Sequence, residues 1–115
     1  MKSVNRLKKN KQFNYVYKKG ERLFSKNISM FFVKSRLSNV KAGFSVSKKI
    51  GKSVVRSKVK RRMKEAFRSL LPNLKGHVNI VFVAREGIEL CDFFAIKEQI
   101  VFLLTRAGLL NCEGN

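Results

Sequence analysis

The densest run of chemically capable side chains lies at residues 45–68, SVSKKIGKSVVRSKVKRRMKEAFR. Lys48 and Lys49 follow what reads as a strand end, and Gly51 turns the chain. Arg56, Ser57, Lys58, Lys60, Arg61 and Lys64 then come from successive turns of a helix. A guanidinium can grip phosphate oxygens as a bidentate fork, while an ammonium group acts as a compact point charge. Free amides at a helix N-terminus favour the same ligand. Ordinary solvated faces mix both signs of charge, but here only Glu65 interrupts the cations. The pattern points to phosphate binding.

Side chains suited to hydrolysis are not gathered in this way. Protein nucleases position metals with clustered carboxylates, or use histidine as acid and base. Glu21, Glu65, Glu86, Glu89, Asp92, Glu98 and Glu113 form no clustered pattern, and the lone His77 opens a strand. Asp92 reads as a helix N-cap. No catalytic residue and no protein metal ligand is assigned. Cys91 and Cys112 belong to no CxxC or Cys/His grouping and read as reduced thiols.

Charge and composition narrow the partner. The chain has 115 residues, with 26 Lys+Arg against seven Asp+Glu, a formal charge of +19. Solubility alone needs a magnitude of only about 2–8. So much like charge on a small globule repels itself unless a polyanion neutralises it, and nucleic acid does so with release of counterions. The chain is nevertheless 44% apolar, and its ten Phe are spread along its length. That is too hydrophobic for a disordered basic tail, and residues 1–115 read as one nucleic-acid-binding domain. No apolar run approaches the ~20 residues that span a bilayer. The basic N-terminus has no apolar segment behind it, so it does not read as a secretory signal. A cytoplasmic protein with no membrane partner is expected.

Periodicity supplies the elements that must hold these groups. Phe13, Val16 and Tyr17 share one face of a helix over Asn10–Lys19. Ile28–Lys34 reads as a strand with both faces apolar, so one face can meet something other than the core. Ser38 and Asn39 suggest a turn, and residues 41–47 alternate as a second strand. From 52 to 71 the period becomes helical: Val55, Val59, Met63, Ala66, Phe67 and Leu70 share one side. Pro72 stops that helix, residues 77–84 form a strand bulky enough for a central place, and a last helix runs over 93–107. The expected fold class is α+β, a two-layer α/β sandwich in the order α-β-β-α-β-α.

Three segments together carry a family resemblance. VSKKIGKSVVRSKVKRRMKEAFR resembles the signature of the bacterial ribonuclease P protein family, NRLKKNKQFNYVYKKG its opening helix, and VFVAREG its third strand. The likeness spans residues 5–108 in the family order. It implies a ribosomal-protein-like fold with a left-handed βαβ crossover, against the usual right-handed rule. It also implies a protein subunit that assists a catalytic RNA, which itself hydrolyses the precursor tRNA with magnesium held mainly by RNA. By this resemblance Lys48, Lys49, Arg56, Ser57, Lys58, Lys60, Arg61 and Lys64 would contact the catalytic RNA. A cleft lined by Phe13, Tyr17, Phe31, Ser45 and Ser47 would hold the single-stranded 5′ leader of precursor tRNA. Aromatic stacking in a basic groove suits such a ligand. Phe13 and Tyr17, taken alone, read as core residues more readily than as stacking platforms. Ser57 replaces the usual Asn and shortens the reach of its hydrogen bond, while Lys58 keeps the charge of the common Arg and loses its fork.

Other readings of the same composition are a structural rRNA-binding protein of the ribosome, and a DNA-binding module using 52–71 as a recognition helix. Against the second, cations fill nearly all of the exposed arc, with few of the Asn or Gln side chains that read bases, and no DNA partner is expected. A self-contained ribonuclease lacks an acid–base pair.

Overall fold

The computed structural model describes residues 6–7, 10–35 and 40–110. Its elements run α1 (Asn10–Lys19), β1 (Glu21–Phe24), β2 (Ile28–Lys34), β3 (Lys41–Ser45), α2 (Ser53–Leu70), β4 (Val78–Ala84) and α3 (Phe93–Arg106). Single 3-10 turns at Lys48–Ile50, Leu71–Asn73 and Ile88–Leu90 link them. The expected turn at Ser38 and Asn39, and the thiol of Cys112, lie outside the described residues.

The strands form one sheet in the order β1-β2-β4-β3. β1 pairs antiparallel with β2 and β2 antiparallel with β4, while β3 runs parallel to β4. A parallel pair cannot be joined by a tight hairpin, and α2 makes the crossover from β3 to β4. The α+β class is as expected, and the sheet gains a fourth strand, β1, that periodicity did not signal. Its residues, Glu-Arg-Leu-Phe, are mostly exposed and carry no apolar alternation. Pairing with β2 makes them a strand.

Side chains alternate across a sheet, and the two faces have separate fates. Ile28, Met30, Ile80, Phe82, Ala42 and Phe44 point to the face covered by α2 and α3. There Val59, Met63, Ala66, Phe67 and Leu70 of α2 meet Ile96, Ile100, Leu103 and Leu104 of α3. The Phe44 ring stacks on Phe82 at 5.6 Å, and Phe67 meets Phe82 edge-on at 5.5 Å. Burying one such side chain contributes about 1.5–3 kcal/mol, so this face dominates stability. On the opposite face α1 is joined by the buried Leu7, whose amide donates to the Ala42 carbonyl at 3.0 Å, and Val16 packs on Val81 with Phe13, Phe31, Val33 and Val83 around them. One helix cannot cover four strands. Among the described residues, part of this face stays open.

Two local devices fix the edges. The Asp92 carboxylate accepts from the Ala95 amide at 2.8 Å, the expected N-cap of α3. The β1–β2 hairpin is pinned through buried Asn27, whose amide N–H donates to Gln99 Oε1 at 2.8 Å and whose Nδ2 donates to the Glu86 carbonyl at 2.7 Å. Gln99 returns a bond to Asn27 Oδ1 at 3.1 Å. Among the described residues, no helix is long and apolar enough to cross a membrane.

Candidate nucleic-acid interface

Eighteen residues of helix place the α2 cations. With 100° per residue, Arg56, Lys60 and Lys64 recur every four positions and form one row along a flank of the buried stripe. Ser57 and Arg61 lie further round toward solvent, and Lys58 lies past them. Ser57, Lys58, Lys60 and Arg61 are exposed, while Arg56 and Lys64 are half-buried. Lys48 and Lys49 are exposed on the turn before the helix. Lys52 takes the N-cap position without a side-chain bond to the helix amides, so that end remains cationic and uncapped by any carboxylate.

Not every cation of this segment is free for a ligand. Arg56 Nε donates to the Gly51 carbonyl at 3.2 Å, which folds its guanidinium back over the turn. Gly51 itself takes a positive φ of 157°, uncommon for residues with a Cβ. Arg62 Nη1 donates to the Cys91 carbonyl at 3.0 Å and ties α2 to the segment before α3. Arg68 pairs with Glu65 at 3.0 Å on the exposed surface. Among the described residues, the exposed Lys58, Lys60 and Arg61 keep their charges uncommitted by any bond of this kind.

The aromatic residues assemble on the other face. Phe13 and Tyr17 project from α1, and Phe31 rises from β2 beneath them. Tyr17 meets Phe31 edge-on, with ring centroids 5.0 Å apart. Phe13 and Phe31 are half-buried and Tyr17 is 37% exposed, so these rings both close the small cluster under α1 and show edges to solvent. Ser45 is half-buried on β3, beside Val83 of β4. Ser47 lies past the strand end and is exposed. Thus Phe13, Tyr17 and Phe31 come together, with Ser45 along the same face and Ser47 at its rim.

Phe13 reaches the sheet because Gly43 has no side chain. A Cβ at that position would stand 2.4 Å from Phe13 Cζ and 2.6 Å from Cε1, well inside contact distance. Beside this contact Arg6, Leu7, Phe13, Gly43, Lys60 and Lys64 line a small cavity of about 50 Å³. The basic row of α2 and the aromatic face therefore meet at a seam. Burial, followed by the charges of Lys60 and Arg6, holds the Lys64 ammonium below the usual lysine range. An anion at the seam would relieve the charge repulsion.

Arg6 and Gly43 were not singled out from sequence, nor were three side chains further along the open face. Arg22 of β1 sits opposite Phe31 in the register, and its guanidinium lies 5.9 Å from that ring. Phe24 is 60% exposed, with Arg22 at 5.4 Å and Arg85 at 5.3 Å from its centroid. The available signal was the period of two between Arg22 and Phe24, too short to stand out. Among the described residues no three His, Cys, Asp or Glu side chains form a metal-binding group.

Comparisons with known proteins show the family and the fold. The family model for ribonuclease P matches residues 1–108. The ribonuclease P protein component of Caldanaerobacter subterraneus subsp. tengcongensis is 44% identical over 106 residues, covering 92% of this chain and 91% of the relative. That of Clostridium botulinum (strain 657 / Type Ba4) is 40% identical, covering 93% and 97% respectively. Among solved structures, the RNase P protein of Staphylococcus aureus superposes with a TM-score of 0.85 at 28% identity, covering 93% of this chain and 98% of that one. The RNase P protein of Thermotoga maritima gives 0.81 at 28%, covering 88% and 96%.

Proposed function

Because the chain belongs to the ribonuclease P protein family, we propose that it is the non-catalytic protein subunit of a ribonucleoprotein that removes the 5′ leader of precursor tRNA. In this reading the exposed cations Lys48, Lys49, Lys58, Lys60 and Arg61, with Arg56, Ser57 and Lys64 beside them, bind phosphates of the catalytic RNA. Guanidinium forks and ammonium charges need no particular base sequence for this. Phe13, Tyr17 and Phe31, with Ser45 and Ser47 at the edge, receive the single-stranded leader, whose bases stack on the ring edges and faces left open by α1. Phosphodiester hydrolysis is the work of the RNA, and magnesium is held mainly by RNA phosphates. The protein's contribution is to substrate binding and position.

The observation that carries the reading is the seam, where Phe13 of the aromatic face adjoins Lys60 and Lys64 of the basic row. A protein that only coats folded RNA needs the cations alone. One that hands a single strand to a second RNA needs an aromatic track bordering the surface that holds that RNA.

The test compares precursor tRNA with and without a leader, bound to a bacterial ribonuclease P RNA alone and to the reconstituted holoenzyme, at fixed salt and magnesium. The expected result is a gain on adding protein that depends on the leader. A gain equal for both substrates would reduce the chain to a general RNA binder, as a ribosomal scaffold would be.

A further inference from the structure

The aromatic face does not end at Phe31. Tyr17, Phe31, Arg22, Phe24 and Arg85 form an unbroken strip in which rings and guanidinium groups succeed one another. The steps measure 5.0 Å from Tyr17 to Phe31, 5.9 Å from Phe31 to Arg22, 5.4 Å from Arg22 to Phe24 and 5.3 Å from Phe24 to Arg85. It runs from beneath α1 to the free edge of the sheet, because β1 is the outermost strand. By the alternation of strand side chains, Arg22 and Phe24 share the α1 face with Phe31, and Glu21 projects to the other side.

Among the described residues, Phe24 has no packing role that explains it. Its ring is 60% exposed and belongs to neither buried cluster, whereas an apolar edge strand normally invites unwanted pairing. Its surroundings are nevertheless held firmly. Arg85 Nη1 donates to the Ser25 carbonyl at 3.1 Å and the Arg85 amide to the Asn27 carbonyl at 2.8 Å. Ser25 Oγ in turn donates to Gln99 Oε1 at 2.6 Å, tying the hairpin to α3. A ring kept in place between two cations, and left in water, is built like a stacking platform for a single strand.

We propose that this edge is a second stacking step for single-stranded RNA. A leader nucleotide upstream of those in the Phe13–Tyr17–Phe31 cleft stacks on Phe24, while Arg22 and Arg85 engage its phosphates. Arg85 is fixed by its bond to Ser25, and Arg22 spans the gap between the two rings. Arg22 is therefore the group that swings from ring to phosphate as the base arrives. In the register Phe24 stands opposite Ser29, diagonal to Phe31, a separation of about 7–8 Å between backbones. An extended strand can cross that gap without leaving the sheet. Charge favours an RNA occupant, since Lys26 adds a further exposed cation at the hairpin tip.

This proposal rests on the leader reading of the face, and a leader-length series separates the two. Holoenzyme affinity would be measured for precursor tRNAs whose leaders grow one nucleotide at a time, using wild type, Phe24→Ala, Phe24→Trp and Arg22→Gln/Arg85→Gln. Wild type should gain affinity in two stages as the leader lengthens. Phe24→Ala should match it through the first stage and fall at least about fivefold below it in the second, the lower bound for one stacked base. Phe24→Trp should keep the second stage, and the double Arg variant should lose it. Matched affinity for short leaders certifies the fold of each variant. If wild type gains from the leader but Phe24→Ala follows it at every length, the edge platform is wrong and the cleft stands. If wild type gains nothing from any leader, both assignments fall.

Discussion

Replacing Gly43 by alanine should disrupt the interface from beneath, through a single added methyl group. The new Cβ would lie 2.4 Å from Phe13 Cζ and 2.6 Å from Cε1, where ordinary carbon contacts begin at about 3.5 Å. The ring must retreat by about 1 Å, and α1 with it, because Val16 of the same helix is locked against Val81 of β4. Overpacking of this kind costs about 1–3 kcal/mol. Alanine gives back about 0.5–1 kcal/mol of the backbone entropy that glycine loses in a strand, so the net destabilisation reaches up to about 2.5 kcal/mol. Urea unfolding of Gly43→Ala, Phe13→Ala and the double variant would measure the coupling. Once the ring is gone, Gly43→Ala should be neutral or mildly stabilising, an interaction energy of about 1–3 kcal/mol between the two sites. Gly43→Ala alone should also weaken leader-dependent binding. Stability changes that add within about 0.5 kcal/mol would refute the idea that Gly43 exists to seat Phe13.

Three other outcomes follow from the charges. Lys64→Met should stabilise the free protein at neutral pH by about 0.5 kcal/mol, the scale of a screened surface charge pair. Since the folded-state pKa of Lys64 is lowered, its penalty is fully present below that value and relieved as pH rises toward the unfolded one. The advantage of Lys64→Met in denaturation midpoint should therefore shrink in alkali, and an advantage that grows there would reverse the assignment. Lys60→Ala and Arg61→Ala should each flatten the dependence of log affinity for ribonuclease P RNA on log salt by about 1, whereas unchanged slopes would remove them from the phosphate contacts. Sulfate should raise the thermal midpoint by binding the folded state, which adds about 2.7 kcal/mol of stability at one hundred times its dissociation constant. A flat response at matched ionic strength would contradict anion sites on the folded protein.

Most elements were legible because their signals are internal to each segment. The apolar stripe of α2 places it within a residue of its observed ends at Ser53 and Leu70, and the Asp92 cap is found where a carboxylate precedes an apolar run. β1 was not legible: four exposed residues carry no period, and their strand exists only through partners on β2. The two apolar faces of β2 did foretell a second surface beyond the core. Composition could not say which cations are already engaged, and Arg56 and Arg62 are bound to backbone carbonyls of Gly51 and Cys91. Nor could it reveal Gly43, whose role depends on a ring thirty residues earlier being folded back upon it.

The most direct measurement is photocrosslinking from a precursor tRNA carrying a photoreactive base at single leader positions, in the reconstituted holoenzyme. Crosslinks to Phe13, Tyr17 or Phe31, with α2 protected by the catalytic RNA, are the expected result. Leader crosslinks confined to the basic row of α2, with the aromatic face unlabelled, would contradict the division of labour between the two surfaces.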